Sequence, residues 1–373
     1  MIKYVKVATN KVKEVRPVDL SIDGVIKYIG QSGTSGYASA AKGYLADYVL
    51  RNIPVTWSPL YFDNSKNDKH YYVDALAESV IDKSYSKYDR LIIHSTPDLW
   101  QSTVLQHKHI NDIVGYCAWE TSKLPTKWVD HINMVNQVWV PSVFNKQSFI
   151  ESGVKTEIKV VPHIWHPQQL IKKSNIKIYD YCRTEVSSDK YTFYSIGELN
   201  FRKGIEDLVT VFDKFNDIYK DTQLILKLHY KDYSQQSKEY CISKLRSLTN
   251  KIGTDIFLIF ENLTNQEVLA LHSFGDCYVS LNKGEGFGLT IFDAFNYGKK
   301  VVTTGYGGQV DFLGNDYNGL VKYKIDKVNG MDSFSTNYSS DQEWAYPDLE
   351  HAWELLIKSY EDCFVTKPTR NGL

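Results

Sequence analysis

Little in this chain offers a hold for metal, disulfides, membrane or nucleic acid. Its five cysteines (Cys117, Cys182, Cys241, Cys277, Cys363) are odd in number and form no C-x-x-C pair. That argues against a disulfide framework and a cysteine zinc site, and for a reducing compartment. His107-x-His109 and His163-x-x-His166 have no acidic companion at zinc spacing, and no D-x-D occurs, so no bound metal is expected. Neither G-x-S-x-G nor a P-loop is present. No stretch approaches the run of about 18 apolar residues that crosses a bilayer. The opening MIKYVKVATN lacks the apolar core of a signal peptide. A cytoplasmic protein is expected, with peripheral membrane contact left open. The net charge of −1 gives no electrostatic support to a nucleic-acid partner.

What is present is an alternation. The 373 residues suffice for two domains of ordinary size. In the first half, DGVIKYIG, YDRLIIHSTPD, NDIVGYCAWE, NQVWVPS and IKVVPHIW read as strands, separated by helical patterns such as the Ala-rich run after QSGTSG. A polar stretch at 166–190 reads as linker. The rhythm restarts with YTFYSIGE, TQLILKLHY, DIFLIFENL, DCYVSLN and KKVVTTGYGG as strands, and PDLEHAWELLIKSYEDCF as a closing helix. The expected fold is α/β, two doubly wound Rossmann-like domains facing across a cleft: 1–165, with the final helix 350–373 packing back on it, and 166–349. The 27 tyrosines offer flat faces and hydroxyls that suit sugars, although most serve as ordinary core and surface residues.

The stretch GEGFGLTIFDAF (284–295) is the most informative. Gly286 and Gly288 free the backbone for close approach, the following segment begins a helix, and helix N-termini attract anions. Glu285 and Asp293 add two carboxylates, which bind hydroxyls rather than phosphate. A ligand with phosphate in its middle and hydroxyl-rich rings at both ends, such as a nucleotide sugar, meets both demands. In GELNFRKGIEDL (197–208), Arg202 and Lys203 follow a strand and suit a diphosphate; a solvated basic turn is the alternative. In the first half, Gly33, Gly36 and Tyr37 form a glycine-rich loop facing the same cleft, or else a flexible surface turn. His94 and Trp119 end strands. Each has a ligand-facing and a packing alternative. Glu120, isolated after an apolar run, is a candidate to bind an acceptor hydroxyl or receive its proton.

GELNFRKGIEDLVTVF, the segment ENLTNQEVLALHSFGDCYVSLNKGEGFGLTIFDAFNYGKKVVTTGYGGQVDFL, and VGYCAWET, WVPS, KVVPH and WAYPD together resemble family 4 of the retaining GT-B glycosyltransferases, over roughly 90–360. The resemblance implies transfer of a sugar from a UDP- or GDP-sugar to a hydroxyl of a glycan, lipid-linked or protein-linked acceptor. It implies no cofactor beyond that donor. Glu285 would bind the donor sugar. The amides of Gly286, Phe287, Gly288, Leu289 and Thr290 would hold sugar and phosphate, Asp293 the ribose, Lys203 and Arg202 the diphosphate, and backbone near Asn262 and Leu263 the base. Two positions depart from the pattern: Asp293 stands where Glu is usual, and Glu198 where Arg is frequent. A 2-epimerase or phosphorylase on the same fold, and a non-catalytic nucleotide-sugar-binding partner, are the other readings.

Overall fold

The computed structural model describes residues 1–4, 24–60, 72–329 and 336–365. The first element, β1 (Ile2–Tyr4), precedes a βα alternation. It runs β2 (Ile26–Gln31), α1 (Gly36–Leu50), β3 (Val55–Leu60), α2 (Tyr72–Glu78), β4 (Arg90–His94), α3 (Trp100–Gln106), β5 (Asp112–Tyr116), α4 (Thr126–Ile132), β6 (Gln137–Val140), α5 (Val143–Glu151) and β7 (Glu157–Val160). The six strands β2 to β7 form one parallel sheet in the order β3-β2-β4-β5-β6-β7. Runs such as LIIH and DIVGY are buried on both faces, as parallel strands between helix layers must be. Pro59 in β3 is tolerated because β3 is an edge strand.

After β8 (Ile176–Ile178) the alternation resumes. It continues β9 (Tyr191–Glu198), α6 (Ile205–Ile218), β10 (Thr222–His229), α7 (Gln235–Arg246), β11 (Ile256–Ile259), α8 (Asn265–Phe274), β12 (Cys277–Ser280), α9 (Leu289–Asn296), β13 (Lys300–Thr304), α10 (Gln309–Leu313) and β14 (Leu320–Val321). The second parallel sheet has the order β11-β10-β9-β12-β13-β14. A hairpin of β15 (Tyr323–Lys327) and β16 (Glu343–Pro347) leads to α11 (Leu349–Val365).

Three features differ from the sequence reading. Residues 176–178 of the expected linker are a strand, paired antiparallel with β1. Ile2, expected in the first domain, is buried with Ile176, Ile178 and Phe274 in the second. The final helix does not pack back on the first domain: Ala352, Leu355, Leu356 and Tyr360 join the core built by α6 and the second sheet, because those apolar positions share one face. Residues 366–373 lie outside the described residues.

Each sheet has a switch point where neighbouring strands lead their helices to opposite faces, and ligands bind outside strand ends there. In the first sheet it lies between β2 and β4, in the second between β9 and β12. The loops carrying Gly33, Lys203 and Glu285 leave β2, β9 and β12, and His94 ends β4.

Candidate functional site

Asn200 caps the turn after β9: its side-chain oxygen accepts from Lys203 N at 3.0 Å, and Gly204 takes a left-handed φ of 64° to start α6. A Cβ at Gly204 would lie 1.9 Å from Leu281 O, so glycine brings this turn against the exit of β12. Arg202 and Lys203 thereby reach the turn at 284–288. The Lys203 ammonium pairs with Glu285 Oε1, and Arg202 Nη1 donates to Gly284 O at 2.7 Å and lies 3.3 Å from the same carboxylate oxygen. Burial alone would raise the Glu285 pKa, but Lys203 and Arg202 together hold it below the usual value. The other end of Arg202 faces Glu120 of the first sheet at 3.5 Å, and Glu120 Oε2 accepts from Tyr338 Oη at 3.1 Å.

Gly288, at φ 87°, caps α9, whose first amides open beside Glu285. Gly36, at the start of α1, sits across from them, with a Cβ position only 3.7 Å from Leu289 Cδ1. Two helix N-termini, one from each sheet, therefore converge. Asp293 lies one turn into α9, partly accessible, with no hydrogen bond to its carboxylate among the described residues; burial pushes its pKa up to about 7. Asn262 is exposed and Leu263 buried in the loop from β11 to α8.

Residues 183–344 match the family model of glycosyl transferases group 1. Sucrose-phosphate synthase from Thermosynechococcus elongatus is similar over 90% of this chain and 90% of its own, at 12% identity and a TM-score of 0.59. HepE from Anabaena, solved in complex with UDP and glucose, is similar over 80% of this chain and 85% of its own, at 13% identity and 0.55. A glycosyltransferase from Rickettsia africae is similar over 91% and 88%, at 16% identity and 0.54. No curated protein matches the sequence.

The chain has the GT-B fold.

In GT-B terms, the cluster of Lys203, Glu285, α9 and Asp293 lies wholly in the C-terminal domain, and the group 1 match spans it. The N-terminal domain meets it through Gly36, Glu120 and α5. Gly33, at φ 104°, is fixed by the buried Lys42 ammonium, which donates to its carbonyl at 3.1 Å and pairs with Asp74. Tyr37 is partly buried; its hydroxyl donates to Ala118 O at 3.0 Å. Two candidates are core residues instead. His94 is 1% exposed, bonded to Tyr28 Oη at 2.5 Å, and held neutral by burial. Trp119 is 3% exposed, packed edge-on against Trp128 and stacked on Tyr338, so neither ring face opens to a sugar. Both were visible in sequence only as strand ends, and burial there is decided by neighbours far along the chain.

Other contributors were not read from sequence. Ser142 caps α5 and donates to Gly286 O at 2.6 Å, and Asp311 accepts from Val143 N at 2.5 Å; both contacts join the two GT-B domains. Asn145 holds Trp119 through both backbone groups. The Ser-x-x-Asn spacing of 142–145 was the available signal for that cap.

Proposed function

We propose that this protein is a glycosyltransferase that moves a sugar from a UDP- or GDP-sugar to an acceptor hydroxyl with retention at the anomeric carbon, without a metal ion. The observation that carries this reading is the convergence of the α1 and α9 N-termini beside Lys203, with Asp293, unpartnered among the described residues, one turn further on. Helix ends and one reachable cation favour a diphosphate, while unpaired or pairable carboxylates favour hydroxyls at both of its ends. The UDP and glucose bound by HepE, on the same fold, support the donor class.

The donor would lie along the C-terminal domain: sugar at Glu285, diphosphate at the α9 amides and Lys203, ribose at Asp293. Arg202 is a positioning residue, since its guanidinium is buried and engaged by Gly284, Glu285 and Glu120. In transfer, the bond from the anomeric carbon to the β-phosphate oxygen breaks and the acceptor oxygen bonds the same face. The departing phosphate takes the acceptor's proton. Glu120 is not used as the base in this scheme, because Arg202 and Tyr338 hold its two oxygens. Negative charge growing on the phosphate is met by Lys203 and the α9 amides, and losing one such group typically costs about 10²–10³ in rate.

The test is release of nucleoside diphosphate from a panel of UDP- and GDP-sugars in EDTA, with and without candidate acceptors, for wild type and Lys203→Ala. Turnover by wild type in EDTA and its loss in Lys203→Ala are expected. Full turnover by Lys203→Ala would remove the diphosphate assignment. A strict need for Mg²⁺ or Mn²⁺ would remove the metal-independent scheme. Sugar isomerised without any acceptor would point to an epimerase.

A further inference from the structure

Lys227 is a buried cation that the site above leaves unused. It lies two residues before the end of β10, on the sheet face shared with Ile225, opposite Leu226 and Leu228. It is 5% exposed. Its Nζ donates to Tyr233 Oη at 3.0 Å and lies 4.7 Å from the centre of that ring. An ammonium carries three N–H donors, and among the described residues only this one neutral acceptor meets them. Glu261 acts on it at a distance without forming an ion pair. A buried ammonium so poorly partnered is costly, and burial lowers its pKa to about 8. Nothing in the packing of the second core calls for a charge there; Ile225 and Ile259 fill equivalent positions.

Its place in the sheet gives the charge a use. Lys227 is in register with Ile196 of β9 on one side and Ile259 of β11 on the other. The diphosphate cluster straddles the exits of β9 and β12. Lys227 is therefore one strand further out, beside the exit of β11, where Asn262 and Leu263 lead into α8. Neighbouring strands are about 4.8 Å apart, so Lys227 lies to one side of the diphosphate cluster, in the direction of β11 and of the loop that follows it. Tyr233 lies flat on His229 with ring centres 5.4 Å apart, an aromatic surface over the same strand end.

We propose that Lys227 and Tyr233 form the seat of the donor's base, the Lys227 ammonium donating to an exocyclic carbonyl oxygen of a uracil or guanine ring and Tyr233 covering the ring. The assignment rests on the donor-site reading above. Adenine has no carbonyl, and the amino group it presents at the same edge donates and cannot accept from the ammonium.

Isothermal titration of the full chain with UDP, GDP and ADP tests this, on wild type and Lys227→Met, with the Tm of each. UDP or GDP should bind wild type about 10-fold or more tighter than ADP, the worth of one charge-assisted hydrogen bond. Which of the two is preferred identifies the base. Lys227→Met should fold with Tm no lower, lose most of that preference, and keep its affinity for ADP. Equal binding of ADP by wild type, full preference in Lys227→Met, or equal loss of all three nucleotides would each overturn the assignment and leave the donor site standing. If none of the three binds wild type, the donor-site reading fails and takes this one with it. Should Lys227→Met not fold, Lys227→Leu, which also lacks an N–H donor, gives the same comparison.

Discussion

At the scale of single residues, Glu285 and Asp293 are eight positions apart and differ in every physical respect. Glu285 is held ionised by two cations, whereas Asp293 has no partner among the described residues and burial favours its protonated form. If they serve opposite ends of one donor, Glu285→Gln should damage sugar transfer while sparing UDP or GDP binding. Asp293→Asn should weaken the nucleoside diphosphate itself, by an amount on the order of 1.5–3 kcal/mol for a hydrogen bond to a charged group. Calorimetry on both variants beside a transfer assay decides; equal loss of nucleotide in both would break the assignment. Asp293 also carries a pH signature. Its folded pKa of about 7 lies above the unfolded value, so the folded state holds a proton that the unfolded chain has released. That penalty on stability is absent below about pH 4 and complete above about pH 7. Asp293→Asn should therefore gain Tm over wild type increasingly from pH 5 to pH 8, and a gap that stays constant across thermal melts would mean that the carboxylate is solvated. Sequence displayed these two carboxylates because they sit in a glycine-punctuated turn at the head of a helix. Lys227 was invisible, since a lysine in an apolar strand looks the same whether it snorkels to water or is sealed beneath a tyrosine.

At the scale of elements, the strands that sequence revealed are those with a continuous apolar run, such as LIL in β10 and IFLI in β11. Their parallel direction follows from their alternation with helices, while the strand order does not. The pair of β1 and β8 was hidden for the opposite reason. Each is three residues long, with Lys3 opposite Lys177 facing outward, and neither exists without the other. The final helix was legible as a helix, but an apolar stripe does not name the surface it will meet. Turn chemistry yields a graded prediction. Thr264 and Glu267 form a reciprocal capping box at the start of α8, and Thr264→Ala should cost about 1 kcal/mol. Gly204→Ala should cost several times more. It adds left-handed strain of about 1–2 kcal/mol to a Cβ 1.9 Å from a backbone oxygen that cannot swing aside. Chemical denaturation of the two variants orders them, and a Gly204→Ala as stable as Thr264→Ala would mean that the turn after β9 can relax away from β12.

At the scale of the whole molecule, the two GT-B domains meet through aromatic contacts, with Trp119 stacked on Tyr338, Phe144 against Tyr306 and His163 against Phe287, and through polar ones. Ser142 reaches Gly286, Val143 reaches Asp311, Ser122 and Glu343 bond each other through backbone and side chain, Lys123 pairs with Asp341, and Asn265 donates to Asp74. Water can replace each of these polar contacts, so each contributes only about 0.5–1.5 kcal/mol net, while the aromatic contacts add apolar burial to them. The double variant Ser142→Ala/Asp311→Ala should raise the radius of gyration in small-angle scattering. It should lower transfer and leave nucleotide affinity intact, because Lys203, Glu285 and Asp293 all belong to one domain. An unchanged radius together with wild-type transfer would assign the closed form to contacts elsewhere.

The pairing of β1 with β8 also has a bearing on synthesis. Met1 N donates to Tyr179 O from 178 positions away, so β1 is made long before its partner strand appears. In the interval the N-terminal domain can complete its own sheet, whose strands all lie between the two halves of that pair. The C-terminal domain cannot be finished until both halves are out. Translation thus folds the N-terminal domain first, as an insert threaded through an unfinished C-terminal domain, and a stall before residue 176 would leave one whole domain and an unpaired β1.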